Sequence, residues 1–231
     1  MRKLSVLFAV LMLAIPVCAQ QTPSLVKAEK SYYDITYYTL NGKKEGAYKE
    51  VYKQNGRTKT EGQYANDLKE GVWKLYRISG ALDREETYHK GLLNGETKIY
   101  NDNKAVAAIE VYQNGALNGV CKTFTETGAL FEKRTYRKGT LISRYSYYPS
   151  GKLRSEEVIP QNPETVYYVK YYYESGAKKT VSKMQGATCL GTVNYFENGQ
   201  VSTRFTIVNG TLQLTERYNE KGIPQRTNCN C

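Results

Sequence analysis

The sequence predicts an all-β fold: an elongated antiparallel meander of about eight β-hairpin repeats, each 23–24 residues long. Three observations carry that prediction. Aromatics recur at Tyr52, Tyr76, Tyr100, Phe124, Tyr147, Tyr172, Tyr195 and Tyr218, at spacings of 24, 24, 24, 23, 25, 23 and 23 residues. A glycine stands four residues after each of them, from Gly56 and Gly80 through Gly128, Gly151, Gly176 and Gly199 to Gly222, with Lys104 the one exception. A second column, Tyr64, Tyr88, Tyr112 and Tyr136, repeats every 24 residues. Runs such as "VWKLY" and "ALDREETY" are strand-length and too short for the paired helices of helical repeats.

The elements follow in order. In residues 1–19, Arg2 and Lys3 precede an apolar run from Leu4 to Ile15 and a small-residue cleavage site, Val17-Cys18-Ala19. That is the layout of a secretory signal peptide, and its run of about a dozen apolar residues is short of the ~20 that span a bilayer. A lipoprotein signal acylated at Cys18 is the rival; Val17 before it is bulkier than such signals usually accept. Residues 20–37 read as an N-terminal linker, 38–157 as regular hairpin repeats and 158–224 as divergent ones, and 225–231 as a cysteine-containing tail. No later segment has the length and apolarity of a membrane span.

Within a regular copy, Asn-Gly pairs mark one tight turn and the glycine after the aromatic marks the other, because both favour positive φ. Adjacent strands lie ~4.8 Å apart, so equivalent residues of successive copies sit about 10 Å apart and eight copies extend on the order of 80 Å. Each copy touches only its neighbours. The tyrosine columns Tyr64, Tyr88, Tyr112 and Tyr136 are expected to pack one hairpin on the next.

The stretch "YANDLKEGVWKLYRISGALDREETYHKG" resembles the MORN-repeat family, closest to its bacterial antitoxin-like subtype. The resemblance covers roughly residues 38–222. It implies a meandering antiparallel sheet used for binding rather than catalysis, with attachment to membranes or partner proteins the usual proposal. It also implies an antitoxin or immunity-type role, which an export signal disfavours for a cytoplasmic toxin. There are departures: Trp73 is matched in other copies by Thr97, Cys121, Arg144, Val169, Thr192 and Thr215, and the copies after Val158 lose most of the second tyrosine column and the Asn-Gly opening.

Composition bounds the chemistry. Of 231 residues, 22 are Tyr against five Phe and one Trp, an inventory suited to half-buried surfaces. There are 33 Lys+Arg against 22 Asp+Glu, a formal charge of +11 that falls to +9 when Arg2 and Lys3 are removed. Lys74, Lys98 and Lys122 each stand two residues before an aromatic, as does Lys170, and predict a lysine row on one face. With Tyr76, Tyr100 and Trp73 they form the candidate binding face. An unidentified protein partner is the first expectation for it; an anionic membrane surface or acidic glycan is the second. The bland alternative is a solvated face that keeps the sheet soluble and blunts edge pairing. Export and the lack of a long basic run disfavour nucleic acid.

Nothing assembles a catalytic centre, so no enzymatic activity and no cofactor are expected. The single histidine, His89, occupies a turn position filled elsewhere by Ala65, Gln113 and Arg137. Glu85 with Glu86, and Glu156 with Glu157, are neighbours on strands and point to opposite faces, so they read as solvated edges and not as acid/base pairs. Four cysteines follow the signal: Cys121, Cys189, Cys229 and Cys231. Cys121 and Cys189 lie about three copies apart, too far to bridge. Cys189 with Cys229 or Cys231 is the candidate disulfide, beside the alternative of free thiols; "CNC" offers too few ligands for structural zinc. The expected location is the periplasm, the outer envelope or the exterior.

Overall fold

The computed structural model describes residues 21–227, so the signal-peptide expectation and the cysteines Cys229 and Cys231 lie outside the described residues. The chain opens with β1 (Ser24–Glu29), β2 (Tyr33–Leu40), β3 (Lys43–Tyr52) and β4 (Thr58–Ala65). It continues through β5 (Leu68–Tyr76), β6 (Leu82–His89), β7 (Leu92–Tyr100) and β8 (Val106–Gln113). β9 (Ala116–Leu117) and β10 (Gly119–Phe124) are one strand interrupted at Asn118. β11 (Leu130–Arg137), β12 (Thr140–Tyr147) and β13 (Leu153–Val158) come next. β14 (Val166–Tyr172), β15 (Lys178–Gln185), β16 (Thr188–Tyr195), β17 (Val201–Val208) and β18 (Thr211–Arg217) complete the sheet.

Every strand pairs antiparallel with its neighbour in sequence, β8 joining both β9 and β10. The result is one open, all-β meander of hairpins. Residues 24–37, read from sequence as linker, are instead the first hairpin, with β1 and β2 in register from Ser24↔Thr39 to Glu29↔Asp34. β-Branched and aromatic residues such as Val26, Ile35 and Tyr37 favour strand there, while the turn between Lys30 and Tyr33 carries no glycine to announce it.

The aromatic turns from Tyr76 onward share one construction. Arg77 N–H donates to Ala81 O and Gly80 N–H donates to Arg77 O, with Gly80 at φ 87°. In the copy without glycine, Asn101 and Lys104 make the equivalent bonds, and Lys104 takes the left-handed conformation itself at φ 69°. The register then slips by one residue immediately before the aromatic in copy after copy, between Leu75 and Tyr76, Ile99 and Tyr100, Thr123 and Phe124, and onward. Each such bulge adds to the right-handed twist.

All the strands belong to one sheet, so among the described residues there is no second layer to bury a face. The buried apolar side chains are Ile35, Trp73 and Cys121, and register places them on one side, the tryptophan face. Trp73, 1% exposed, packs tilted against Tyr48 and edge-to-face with Tyr64 and Tyr88 at centroid distances of 5.3, 5.0 and 6.3 Å. Its ring lies over Gly62, where a Cβ would come within 2.3 Å of it, and its indole N–H donates to Gln63 O at 3.1 Å. Lys44 and Lys69 cover the cluster, Lys69 Nζ standing 4.4 Å from the Trp73 ring centre and 4.5 Å from that of Tyr88. Burial among these rings pushes the Lys69 pKa below its ordinary value.

Candidate binding face

Directly opposed residues of paired strands point the same way, so the registers trace columns across the sheet. One column runs Lys49↔Glu61↔Lys74↔Glu85↔Lys98↔Ile109↔Lys122↔Lys133↔Tyr145↔Glu156↔Lys170. It ends beyond Val181 and Val193 with Arg204↔Glu216. The expected row of Lys74, Lys98 and Lys122 therefore exists on one face. Its members alternate with other residues that the lysine spacing did not reveal. Lys74 Nζ lies 3.8 Å from Glu85, Lys170 2.7 Å from Glu156 and Arg204 2.9 Å from Glu216.

Tyr76 and Tyr100 stand beside this column, and their hydroxyls donate back to it. Tyr76 Oη bonds Glu61 at 2.7 Å, Tyr100 bonds Glu85 at 2.9 Å and Tyr172 bonds Glu156 at 2.8 Å. Partial burial, followed by the adjacent Glu61 carboxylate, pushes the Tyr76 phenol up to about 12. The Lys170 ammonium and the Tyr172 hydroxyl together hold Glu156 below the usual carboxylate range. The sequence carries this column at a fixed offset: nine residues after successive aromatics come Glu61, Glu85, Ile109, Lys133, Glu156, Val181 and Arg204. Where that position is Ile109, the aromatic beside it is Phe124, which has no hydroxyl to satisfy.

Trp73 does not belong with the lysines. One residue from Lys74 on the same strand, it points to the opposite face. The second tyrosine column is on Trp73's side too: Tyr64 and Tyr88 in the aromatic cluster, Tyr112 and Tyr136 further along. Tyr88 Oη donates to Glu86 and Tyr112 Oη to Glu110, each at 2.8 Å. Glu86, read as a solvated edge, is in fact buried, because Tyr88 and Arg84 close over it. Glu85 and Glu86 do face opposite sides, as their adjacency requires.

The remaining candidates lie apart. His89 is an exposed turn-end residue whose Nδ1 is 2.9 Å from Glu70 Oε1. Among the described residues neither Cys121 nor Cys189 forms a disulfide; Cys121 is buried, and Cys189 Sγ contacts Gly191 O at 3.6 Å. The candidate pairing of Cys189 with Cys229 or Cys231 falls on residues outside those described. Among the described residues no group of three or more His, Cys, Asp or Glu side chains is placed to hold a metal ion. Compared with protein-family models and with curated proteins, the chain matches none.

Proposed function

We propose that this chain is an exported, non-enzymatic, MORN-like repeat protein that acts as a protein-binding or scaffold module of the cell envelope. One observation supports this most: the lysine face is mixed. From β3 to β7 its cations alternate one for one with Glu61 and Glu85, and beside that column stand exposed apolar residues. Val72 is 52% exposed, Val120 42%, Val158 57% and Tyr168 50%. Solvated apolar side chains next to charge-balanced polar ones are the makings of a protein interface. A surface for anionic lipid or glycan asks for net positive charge along its length. That second reading is favoured only by the stretch around Lys122 and Lys133, where the alternation fails. An antitoxin or immunity-type role is a special case of the first.

The test is in-cell crosslinking of the tagged chain, purification through a high-salt wash and mass spectrometry. A single dominant protein that survives salt, and is lost when Val72 and Val158 are both changed to Asp, supports the reading. Retention of lipid or glycan alone, and only at low salt, overturns it, because exposed charge contacts are screened beyond about 8–10 Å at physiological ionic strength.

A further inference from the structure

The charge alternation on the lysine face lapses twice: at Val181 and Val193, where the column is uncharged, and at Lys122 and Lys133, where like charges meet. Everywhere from Lys49 to Lys98 a carboxylate stands between successive cations, and beyond it Lys170 and Arg204 have Glu156 and Glu216 directly opposite. Lys122 and Lys133 instead oppose each other, flanked on their outer sides by Ile109 and Tyr145. Neither makes an ion pair among the described residues, and Lys133 instead lies over the Tyr147 ring at 5.5 Å. Like charges directly opposite destabilise a strand pair. The two residues that would ordinarily relieve them, a carboxylate and a tyrosine hydroxyl, have both become apolar here, as Ile109 and Phe124.

The same exchange gathers apolar side chains at this part of the face. Ile109, Val111, Val120 and Phe124 adjoin within β8 and β10, with Lys98, Lys122 and Lys133 around them. Val120 and Lys122 are exposed. Two opposed cations without internal counterions, Lys122 and Lys133, beside an apolar centre match one kind of occupant; Lys98 at the edge of the patch already has Glu96 within 4.0 Å and Glu85 opposite it.

We propose that this patch over β7 to β11 is the docking site for an acidic segment of the partner protein. That segment carries an apolar anchor that sits on Ile109, Val120 and Phe124, flanked by carboxylates that complete the interrupted charge ladder at Lys122 and Lys133. The inference rests on the protein-binding reading above and adds the place and the chemistry. The apolar centre favours an acidic protein segment over a lipid surface, because headgroups would meet the lysines and leave Ile109 and Val120 without a partner.

The probe is a set of fluorescein-labelled peptides with a Leu-Phe centre flanked on each side by glutamates, by lysines or by serines, titrated with the full mature chain and read by anisotropy. The glutamate peptide is expected to bind, and the serine and lysine peptides to bind at least tenfold more weakly. Lys122→Glu with Lys133→Glu should invert the order, so that the lysine peptide becomes the tighter ligand. This gain of binding is an outcome that misfolding would not produce. Val120→Asp should weaken the glutamate peptide, whereas Lys27→Glu, at the far end of the face, should not. No binding, equal binding of all three peptides, or an order that the charge reversal leaves unchanged overturns the site. So does binding of phosphatidylglycerol vesicles with no preference among the peptides. If in-cell crosslinking recovers a salt-resistant partner that these substitutions leave in place, the site is wrong while the protein-binding reading stands.

Discussion

Trp73 and Gly62 form one packing unit shared by neighbouring strands. The indole lies flat where any Cβ at position 62 would stand, and Gly62 is there for that approach and not for an unusual φ. Gly62→Ala should therefore force the ring out of the Tyr48–Tyr64–Tyr88 cluster at a cost of about 2 kcal/mol, the usual scale for overpacking. Trp73 is the only tryptophan in the chain, so its emission reports the event directly. The expected outcome is a red-shifted native spectrum and a lower urea midpoint; an unshifted spectrum would show that the ring does not pack on Gly62. Lys104 is the opposite case, a side chain where its counterparts are glycine, held at φ 69°. Left-handed backbone costs an L-residue roughly 1–2 kcal/mol, offset in part by the greater freedom of an unfolded glycine. Lys104→Gly should raise stability by about 0.5 kcal/mol, seen as a higher urea midpoint with unchanged slope.

At the scale of the hairpin, the tyrosine hydroxyl and the carboxylate it reaches behave as a matched pair. Tyr76 has Glu61 and Tyr100 has Glu85, while Phe124 has Ile109. Changing Tyr76→Phe alone removes a hydrogen bond to a charged group, and changing Glu61→Ile alone leaves a phenol without its acceptor. Each should cost about 1 kcal/mol. Together they recreate the Phe124–Ile109 chemistry already present in the chain, so the double variant should lie nearer the wild type than the sum of the two. A double-mutant cycle on urea midpoints measures this, and strict additivity would show that the pair does not couple. The hairpins themselves were legible in the sequence because turn chemistry repeats at fixed positions. Facing was harder. Trp73 and Lys74 are neighbours in one copy and both look like surface candidates, yet a one-residue offset puts them on opposite sides, and only alternation along β5 separates them. The first hairpin is silent in the sequence for a related reason: Tyr33 and Tyr37 continue the aromatic content, but the turn at Lys30–Tyr33 lacks the glycine that marks the others. Glu61 and Glu85 were visible at a constant nine-residue offset from the aromatics, but their meaning depends on cross-strand register, which the bulges set.

Across the whole molecule, stability comes from many half-buried tyrosines in place of a thick core, and this shapes its response to pH. Partial burial, helped by neighbouring carboxylates, pushes Tyr76 and Tyr112 up to about 12, and Tyr48 and Tyr88 further still. Between pH 10 and 12 the unfolded chain loses these phenolic protons while the folded chain keeps them, so stability is intact below about pH 10 and falls as pH rises through that window. The acid edge has the reverse sign: Glu156 and Glu216 are held low by Lys170 and Arg204, and their contribution is lost as pH falls below the ordinary carboxylate range. A urea-midpoint profile that stayed flat from pH 10 to 12 would contradict the tyrosine account. Linear architecture also determines how far a local injury spreads. In a compact two-state domain, damage to one core residue lowers the opening free energy everywhere. Here β5 touches β4 and β6, and every longer-range effect has to pass from strand to strand through pairs such as β8 with β10, whose register holds Lys122↔Ile109 and Thr123↔Ala108, and β13 with β14. Repeat arrays of this kind open in blocks. Gly62→Ala should therefore lower amide protection about 30-fold in β3 to β6, the equivalent of its ~2 kcal/mol, and leave β14 to β18 at wild-type values. Hydrogen exchange with mass spectrometry resolves the two ends in one experiment. Uniform loss of protection from β3 to β18 would mean that the sheet folds as one cooperative unit, and that the tryptophan cluster stabilises copies it never touches.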